Sequence, residues 1–415
     1  MSNQKNIIEI IQKIKPHLNS VLTSATTVRE CLYKNLYLLS NIFGVPENKV
    51  ELTLKQYASV YASTIGAQVI AITGSCGKTT TKDMVLHVCK DTFNTVATPK
   101  NYNNAIGIAF TSLQLHENTE LAIIEMGTNS PGDIKESVNV IKPHWSVITN
   151  IQNSHLEGLH DLDGVLNEKS NIIIDKPNHI AFINSDDSLL NKNINVDHAQ
   201  LITFGVNSSN FKPSVLLWNN EQLPTFVIND TCFNLQLPGT HNLYNAIACI
   251  AICSKLDIPL PIISQRLSQF KPPHLRSEII DTPYGKWIVD CYNANPFSVK
   301  QALLCFSKIQ TKGKKIVILS DMLELGEKSV FFHIQILKQL SYLNIQTVIT
   351  IGKNFAQAHS ELKNIDYHLL RFNSIDNIAN YISNYATKED RVLVKGSRKF
   401  HLEQLTELLS SSEII

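Results

Sequence analysis

The segment Val69-Ile-Ala-Ile-Thr-Gly-Ser-Cys-Gly-Lys-Thr-Thr80 combines an apolar run, two glycines and a lysine that precedes hydroxyl side chains. The apolar run predicts a buried strand, and the residues after Lys78 predict a helix. Glycines between a strand and a helix let backbone N–H groups approach phosphate oxygens, and the helix N-terminus favours negative charge. Lys78 is placed to reach the β- and γ-phosphates of a nucleotide, and Thr79 to hold Mg²⁺. The residues assigned to the nucleotide are Gly74, Ser75, Cys76, Gly77, Lys78, Thr79 and Thr80.

The spacing of this segment differs from the common G-x-x-x-x-G-K-[ST] pattern, because Ile72 occupies the position of its first glycine. A shorter Thr-Gly-x-x-Gly-Lys-Thr-Thr form is present instead. The alternative is an ordinary strand-to-helix turn that carries a lysine. The strand and the helix predicted on either side favour the phosphate loop.

Polar side chains also end or follow other predicted strands: Glu125, His155 and Asn184 each come directly after an apolar, β-branched run or a few residues beyond it. The alternation of strands and helices in this part of the chain predicts a mainly parallel sheet covered by helices. The carboxyl ends of parallel strands share one edge, so these side chains should lie at the same edge as Lys78. A glutamate there is an oxygen ligand for Mg²⁺; the alternative is a surface carboxylate that ends a strand.

Composition excludes several classes of protein. The 415 residues are too many for one core. With 37 basic and 36 acidic residues the chain has no field for nucleic acid or an anionic membrane. No apolar run reaches the length that spans a membrane, and the first five residues lack the apolar core expected of a signal peptide. The eight cysteines form no Cys-x-x-Cys pair, which favours reduced thiols and a cytoplasmic protein.

The elements that must position these residues fall into three parts. Residues 1–50 have helical periodicity, with a break between residues 16 and 27, and another helix is predicted over 52–64. Proline residues between 270 and 276 are the best boundary signal, and α/β alternation resumes after them. The predicted parts are a short helical N-terminal segment (1–50), a central ATPase domain with a phosphate loop and a mainly parallel sheet (51–272), and a C-terminal Rossmann-like domain (273–415).

Eight short motifs follow one another along the chain: Thr73-Gly-Ser-Cys-Gly-Lys-Thr-Thr80, Asn101-Tyr-Asn-Asn104, Ile124-Glu-Met-Gly127, His155-Leu-Glu-Gly158, Leu237-Pro-Gly-Thr-His-Asn242, Asp290-Cys-Tyr-Asn-Ala-Asn-Pro296, Asp321-Met-Leu-Glu-Leu-Gly326 and Lys395-Gly-Ser-Arg398. In this order they resemble the Mur ligase family, most closely its MurF branch, whose members add D-alanyl-D-alanine to a peptidoglycan precursor. The resemblance covers roughly residues 51–415.

The resemblance implies an enzyme that joins a small-molecule carboxylate to the amine of an amino acid or dipeptide. In that family ATP phosphorylates the carboxylate, the amine displaces phosphate from the acyl phosphate, and ADP and phosphate are released. The implied catalytic residues are Lys78, Asn104, His155 and Lys169, and the implied Mg²⁺ ligands are Thr79, Glu125, His155 and Lys169.

Lys169 shows how much the resemblance adds. Taken alone, Glu168-Lys-Ser on a helix predicts a solvated surface. Related ligases carry a carbamylated lysine at this spacing from His155, which implies a carboxylate equivalent that helps to hold a second Mg²⁺. Asn171 departs from the glutamate often found at its position in the MurF branch. A lone histidine is more often a hydrogen-bonded loop residue than a ligand, and only its Leu-Glu-Gly context favours ligation by His155.

The resemblance also assigns residues to the rest of the nucleotide. The implied contacts are made by Asn184, His241, Asn242, Arg276 and Asp290. His241 and Asn242 also fit a helix N-cap, and Asn104 also fits an asparagine-rich turn. Segment 321–333 and the motif after Lys395 match parts of the family that help to form the amine side.

No segment before the phosphate loop resembles the N-terminal UDP-binding domain of the MurF branch. We therefore expect an acid that is not anchored through UDP; a genuine D-alanyl-D-alanine-adding ligase is the alternative. Two further hypotheses are a nucleotide-binding scaffold without turnover and a kinase with a stable phosphorylated product. The N-terminal helices are also a candidate surface for a partner protein.

Overall fold

The computed structural model describes residues 7–15, 28–207, 209–362 and 365–411. The chain divides into two compact units whose segments alternate along the sequence. The first unit consists of Met1–Ile151, Leu162–Lys212 and Ile247–Ile263, and the second consists of Gln152–Asp161, Pro213–Ala246 and Ser264–Ile415. The domain boundaries expected after residues 50 and 272 stay predictions.

The first unit is built on a six-stranded parallel sheet. Its strands are β1 (Gln68–Thr73), β2 (Thr95–Ala97), β3 (Leu121–Glu125), β4 (Trp145–Ile148), β5 (Ile180–Asn184) and β6 (Gln200–Phe204). They lie in the order β2-β3-β1-β4-β5-β6, with parallel pairing throughout. Strands β2 and β3, which follow β1 in the chain, lie on one side of β1. Strand β4, which follows β3, lies on the other side of β1, so the direction of the connections reverses there. The carboxyl ends of strands beside such a reversal are the usual ligand site of an open α/β sheet.

Ten helices lie in the N-terminal half of the described chain. They are α1 (7–15), α2 (Val28–Lys34), α3 (Leu36–Phe43), α4 (Glu47–Ile65), α5 (Lys78–Cys89), α6 (Ala105–Leu113), α7 (Asp133–Val140), α8 (Leu156–Leu159), α9 (Leu162–Ser170) and α10 (Ser188–Asn193). Strands β1, β3, β4 and β5 are buried almost throughout. Parallel strands that are covered on both faces need continuous apolar runs, which is why the sequence identifies them.

The predicted helical N-terminal segment is confirmed over its described residues. Lys15 of α1 donates a hydrogen bond to the Tyr61 hydroxyl of α4 (2.6 Å), and that hydroxyl donates to the Leu115 carbonyl (2.8 Å). The structure adds a break at Asn35, between α2 and α3. The break expected over 16–27 lies outside the described residues. Within the described ranges, the helices lack the combined length and apolar character that crossing a bilayer requires.

The second unit contains a small antiparallel sheet and a larger mixed sheet. The small one consists of β7 (Val215–Trp218), β8 (Pro224–Ile228) and β9 (Thr231–Asn234). The larger one contains β10 (Glu278–Thr282), β11 (Gly285–Asp290), β12 (Lys315–Ser320), β13 (Thr347–Ile351), β14 (His368–Phe372) and β15 (Arg391–Lys395). Their order is β10-β11-β15-β12-β13-β14, and only the β10–β11 pairing is antiparallel.

The helices of the C-terminal half complete the α/β fold. They are α11 (Thr240–Lys255), α12 (Leu260–Ser268), α13 (Pro296–Lys308), α14 (Ser329–Leu340), α15 (Lys353–Ser360), α16 (Ile375–Tyr385) and α17 (Gln404–Ser411). The apolar runs at 287–290, 315–320, 347–351 and 391–394 predict β11, β12, β13 and β15, whereas β10 and β14 are not predicted from the sequence. Both of these strands are at sheet edges and consist of half-buried and exposed residues. Edge strands therefore lack the continuous apolar run that identifies the central ones.

The start of α15 depends on a close approach between a glycine and a carboxylate. Asp321 accepts hydrogen bonds from the backbone N–H groups of Asn354 and Phe355, both at 2.9 Å. Gly352 precedes them at φ 127°, and a Cβ atom there would lie 2.2 Å from the Asp321 carboxyl carbon. A side chain at position 352 would therefore displace the carboxylate that caps the helix.

We expect Gly352→Ala to destabilise the second unit by roughly 2–4 kcal/mol, because left-handed strain adds to the loss of the cap. Gly326→Ala is the matched control: its φ is 56° and an added Cβ makes only ordinary contact, at 3.7 Å. The control should cost roughly 1–2 kcal/mol. Urea unfolding of both variants measures the difference, and equal losses would contradict the steric argument.

A buried histidine makes the first unit sensitive to acid. His179 precedes β5, and its Nε2 atom lies 2.9 Å from the Ser146 hydroxyl. Burial, followed by the positive charge of Lys176 nearby, lowers the pKa of His179 from 6.5 to about 4. Between pH 6.5 and about 4, His179 therefore binds a proton in the unfolded chain but not in the folded chain.

The contribution of His179 to stability should be complete above pH 6.5 and should fall as the pH drops toward 4. His179→Gln, which does not titrate, should reduce the slope of unfolding free energy against pH in this window. Denaturant unfolding at several pH values measures the slope. An unchanged slope in the variant would show that His179 is not protonated on unfolding.

Candidate active site

The predicted phosphate loop connects β1 to α5 and is held in place from β4. Gly77 precedes α5 at φ 86°, and a Cβ atom on Gly74 would lie 1.9 Å from the Thr149 hydroxyl. That hydroxyl donates to the Cys76 carbonyl (2.6 Å). The Asn150 side chain accepts from the Cys76 N–H and donates to the Cys76 carbonyl, both at 3.0 Å. The two glycines and these contacts fix the path of the loop backbone.

Thr149 and Asn150 were missed as site residues by the sequence reasoning. Both directly follow the buried run of β4, which is the signal that singled out Glu125 and Asn184. Asn184 in turn donates to the Thr149 carbonyl (3.2 Å), so it supports the same loop. Its predicted contact with the nucleotide stays a prediction.

The lysine of the loop is folded back over the backbone. The Lys78 ammonium group donates to the Gly74 carbonyl (2.7 Å). Thr79 follows in the first turn of α5 and is half-buried, and Thr80 is buried. The first turn of a helix has unsatisfied N–H groups and a positive partial charge. The arrangement therefore suits a phosphate group above residues 74–79.

Glu125 lies beside the loop, because it pairs in register with Ile72 of β1. Its carboxylate is 2% exposed, and Oε1 accepts a hydrogen bond from the Asn103 side chain (2.7 Å). The Oε2 atom is buried and has no hydrogen-bond partner among the described residues. A buried carboxylate oxygen without a partner is costly unless a cation or a donor binds it. The residue therefore fits the Mg²⁺ ligand expected from the sequence.

Across the described ranges, no three His, Cys, Asp or Glu side chains form a metal-binding cluster. A cation beside Glu125 would need other oxygen ligands. Mg²⁺ usually binds one or two carboxylates together with nucleotide phosphates and water, so this donor set fits it.

Asn104 and its neighbour have separate local functions. Asn104 caps α6 by accepting from the Gly107 N–H (2.9 Å), whereas Asn103 contacts Glu125. The capping contact matches the turn alternative for Asn104. Its predicted catalytic role stays a prediction.

Lys169 is fully buried in α9, and within the described chain its ammonium nitrogen has no hydrogen-bond partner. Burial holds the pKa of Lys169 well below its usual range, and the like charge of Lys78 lowers it further. Glu168 is also buried and accepts from the N–H groups of Gly132 and Ile134, both at 2.7 Å, at the start of α7. The solvated surface predicted from Glu168-Lys-Ser alone is therefore wrong.

In the second unit, His155 has a left-handed backbone (φ 53°) and precedes α8. Its Nδ1 atom lies 2.7 Å from the Glu324 carboxylate. A neutral imidazole that donates from Nδ1 keeps its Nε2 lone pair for a ligand. The metal ligation expected of His155 stays a prediction.

The other predicted nucleotide contacts of the second unit lie near the start of α11 and the end of β11. Asn242 lies in the first turn of α11 and donates to the Pro238 carbonyl (2.9 Å), which joins the helix to the preceding loop. This contact is not the N-cap of the alternative, because a capping side chain accepts from a helix N–H group. Burial lowers the pKa of His241, whereas the charge of Asp290 raises it. Asp290 pairs with Lys395 (3.1 Å), and the Arg276 guanidinium stacks on the Tyr292 ring (4.2 Å).

Segment 321–333 is largely occupied with internal contacts. His333 is fully buried, accepts from the Met322 N–H (3.0 Å) and lies 2.7 Å from the Ser329 carbonyl. Burial lowers the pKa of His333, which favours the neutral ring. These contacts stabilise the loop, and its expected place on the amine side stays a prediction.

Comparison with known proteins identifies the family of the chain. The Mur ligase middle domain matches residues 72–253, and the Mur ligase, glutamate ligase domain matches residues 275–398. The UDP-N-acetylmuramoyl-tripeptide–D-alanyl-D-alanine ligase of Bacillus subtilis (strain 168) is 33% identical over 367 residues, which cover 87% of this chain and 80% of that protein. The ligase of the same name from Buchnera aphidicola subsp. Baizongia pistaciae (strain Bp) is 33% identical over 387 residues, covering 91% and 83%.

Solved structures show the same fold. A MurF structure from Acinetobacter baumannii has a TM-score of 0.78 and 25% identity, covering 87% of this chain and 81% of that one. The Thermotoga maritima MurF ligase in complex with ADP also has a TM-score of 0.78, at 24% identity and 87% and 84% coverage. With two domain models and relatives of this identity in agreement, the chain belongs to the Mur ligase family and is an ATP-dependent ligase that forms C–N bonds.

Proposed function

We propose that this ligase joins the carboxylate of UDP-N-acetylmuramoyl-tripeptide to the amine of D-alanyl-D-alanine. The names of relatives that align over most of their length support this pair of substrates. The observation that carries the chemistry is the partnerless, buried Oε2 atom of Glu125, one strand away from the phosphate loop. An acid that is not anchored through UDP is the competing outcome of the test below.

The reaction has two steps. A carboxylate oxygen of the acid attacks the γ-phosphorus of ATP, and ADP leaves. The amine then attacks the carbonyl carbon of the acyl phosphate, loses a proton, and inorganic phosphate leaves. Both steps bring anions together, so the rate depends on positive charge placed where negative charge accumulates. Lys78, released from the Gly74 carbonyl, is the residue of this chain that supplies such charge to the phosphates.

Glu125 and Thr79 are the residues that would hold Mg²⁺ together with the nucleotide. Mg²⁺ when bound neutralises charge on the phosphates and orients them. Asn103 keeps the Glu125 carboxylate oriented through Oε1, which leaves Oε2 for the cation. His155 keeps its assignment as a ligand of a second Mg²⁺ as part of this proposal.

Lys169 has the environment that carbamylation needs. Its low pKa favours the neutral amine, whose lone pair attacks CO₂ to give a carbamate and a proton. The resulting carboxylate equivalent would suit a second Mg²⁺, as the family resemblance implies.

Replacing Lys78 by alanine should reduce amine-dependent phosphate release by roughly two to three orders of magnitude, as expected when a transition-state charge partner is removed. The assay supplies ATP, Mg²⁺, UDP-N-acetylmuramoyl-tripeptide and D-alanyl-D-alanine. Lys90→Ala is the matched control, because Lys90 is exposed at the end of the same helix.

The same assay separates the competing functions. Release with this pair supports the proposed substrates, whereas release only with other acids supports an acid without UDP. With hydroxylamine in place of the amine, an acyl phosphate gives a hydroxamate and a kinase product does not. ATP binding without release for any acid–amine pair would contradict a ligase.

Addition of ¹³C-bicarbonate should give a carbamate NMR signal that Lys169→Gln removes. Lys82→Gln should retain the signal, because the Lys82 ammonium group is also buried but donates a hydrogen bond to the Thr98 carbonyl. A signal that survives in Lys169→Gln would assign the carbamate to another amine.

A further inference from the structure

A second lysine of α5 is buried at the site without an assigned function. Lys82 is 4% exposed, although it is charged, and it lies one helical turn after Lys78. Its ammonium group donates to the Thr98 carbonyl (2.9 Å) and pairs with Asp83 (2.8 Å). An ion pair with the neighbouring Asp83 alone would not require burial, because such a pair forms equally well at a helix surface.

Thr98 connects Lys82 to Glu125. The Thr98 hydroxyl accepts a hydrogen bond from the Glu125 backbone N–H (3.0 Å), and Thr98 itself is 1% exposed. The Thr98 N–H donates to the Ile123 carbonyl (3.0 Å), which continues the pairing of β2 with β3 beyond Ala97. Lys82 therefore holds the residue that fixes the backbone of Glu125.

Thr98 also begins the loop that orients the Glu125 side chain. Four residues after the proline at position 99, Asn103 donates to Glu125 Oε1, and the Asn103 carbonyl accepts from the Gly127 N–H (2.8 Å). Both the backbone and the carboxylate of Glu125 are thus held by the segment that Lys82 anchors. Displacement of Thr98 would change the orientation of Oε2.

We propose that Lys82 is a positioning residue for the ligase reaction. It fixes Thr98 against α5, and through Thr98 it keeps the Glu125 carboxylate in the orientation that receives Mg²⁺ beside the nucleotide. The inference rests on the Mg²⁺ role of Glu125 proposed above. Lys82 would then hold a metal ligand in place without binding the metal itself. Loss of a residue of this kind typically lowers metal affinity or activity roughly 10–100-fold.

Lys82→Met keeps an unbranched side chain as far as the Cε atom but removes the ammonium group that donates to Thr98. We expect the Mg²⁺ concentration for half-maximal activity to rise, and kcat to fall, each by roughly tenfold or more. KM for ATP at saturating Mg²⁺ should stay close to that of the parent, because the phosphate loop is unchanged. Lys82→Arg, which restores a donor, should recover part of the loss.

Calorimetric titration with ADP, with and without Mg²⁺, gives a measurement that does not depend on turnover. Mg²⁺ should tighten ADP binding in the parent and much less in Lys82→Met. Lys90→Met is the control for the same substitution at an exposed position of the same helix. An Mg²⁺ effect of parental size in Lys82→Met would overturn the proposal.

Thr98→Val removes the hydroxyl that accepts from the Glu125 N–H but keeps the buried charge of Lys82. It therefore tests the same connection if Lys82→Met does not fold. It should weaken the Mg²⁺ effect on ADP binding, whereas Thr98→Ser retains the hydroxyl and should not. If both residues act through Glu125, the double variant Lys82→Met/Thr98→Val should lose less than the sum of the single losses. Additive losses would contradict a shared route.

Glu125→Gln separates failure of this inference from failure of the proposed function. If Glu125→Gln removes the Mg²⁺ effect but Lys82→Met does not, the inference fails and the function stands. If Glu125→Gln leaves the Mg²⁺ effect intact, the ligand role of Glu125 is wrong.

Discussion

The first unit keeps two buried charged groups incompletely hydrogen-bonded near the carboxyl edge of its sheet, and the proposed chemistry depends on them. Glu125 has an oxygen, and Lys169 a nitrogen, without a hydrogen-bond partner among the described residues. Such groups are costly in a protein interior, whereas a cation or a carbamate would satisfy them. Without ligands these two groups therefore lower the stability of the protein. Neighbouring residues must keep their side chains from turning toward other hydrogen-bond partners.

That support comes from side chains that are themselves satisfied. Thr149 and Asn150 hold the phosphate loop at Cys76, and Glu168 binds two N–H groups at the start of α7 next to Lys169. Each is hydrogen-bonded to backbone rather than to another mobile side chain. Because backbone positions are fixed by the sheet and helices, the functional groups keep their orientation without bound ligand.

The parts of this arrangement that follow from local sequence could be predicted. The central strands are continuous apolar runs. Because Glu125 ends the run of β3, the sequence predicts it at the sheet edge beside the phosphate loop, and it lies there in the structure. Edge strands β10 and β14 could not be identified, since only their partners decide which residues are buried. The burial of Glu168, Lys169 and Lys82 was not predictable from residue type for the same reason: a charged helix face is solvated unless another element covers it.

Lys78, Lys82 and Lys169 show how one residue type serves three purposes according to its surroundings. Lys82 is buried and binds the Thr98 carbonyl and the Asp83 carboxylate, which suits a fixed support, whereas Lys78 is half-buried and donates to the Gly74 carbonyl of the phosphate loop. The ammonium form of Lys169 is repelled by Lys78. Carbamylation would make this charge negative, so the interaction with Lys78 would become attractive. The proposed carbamylation of Lys169 would then change the electrostatic environment of Lys78, the residue that the proposal places at the triphosphate, without any movement of the fold.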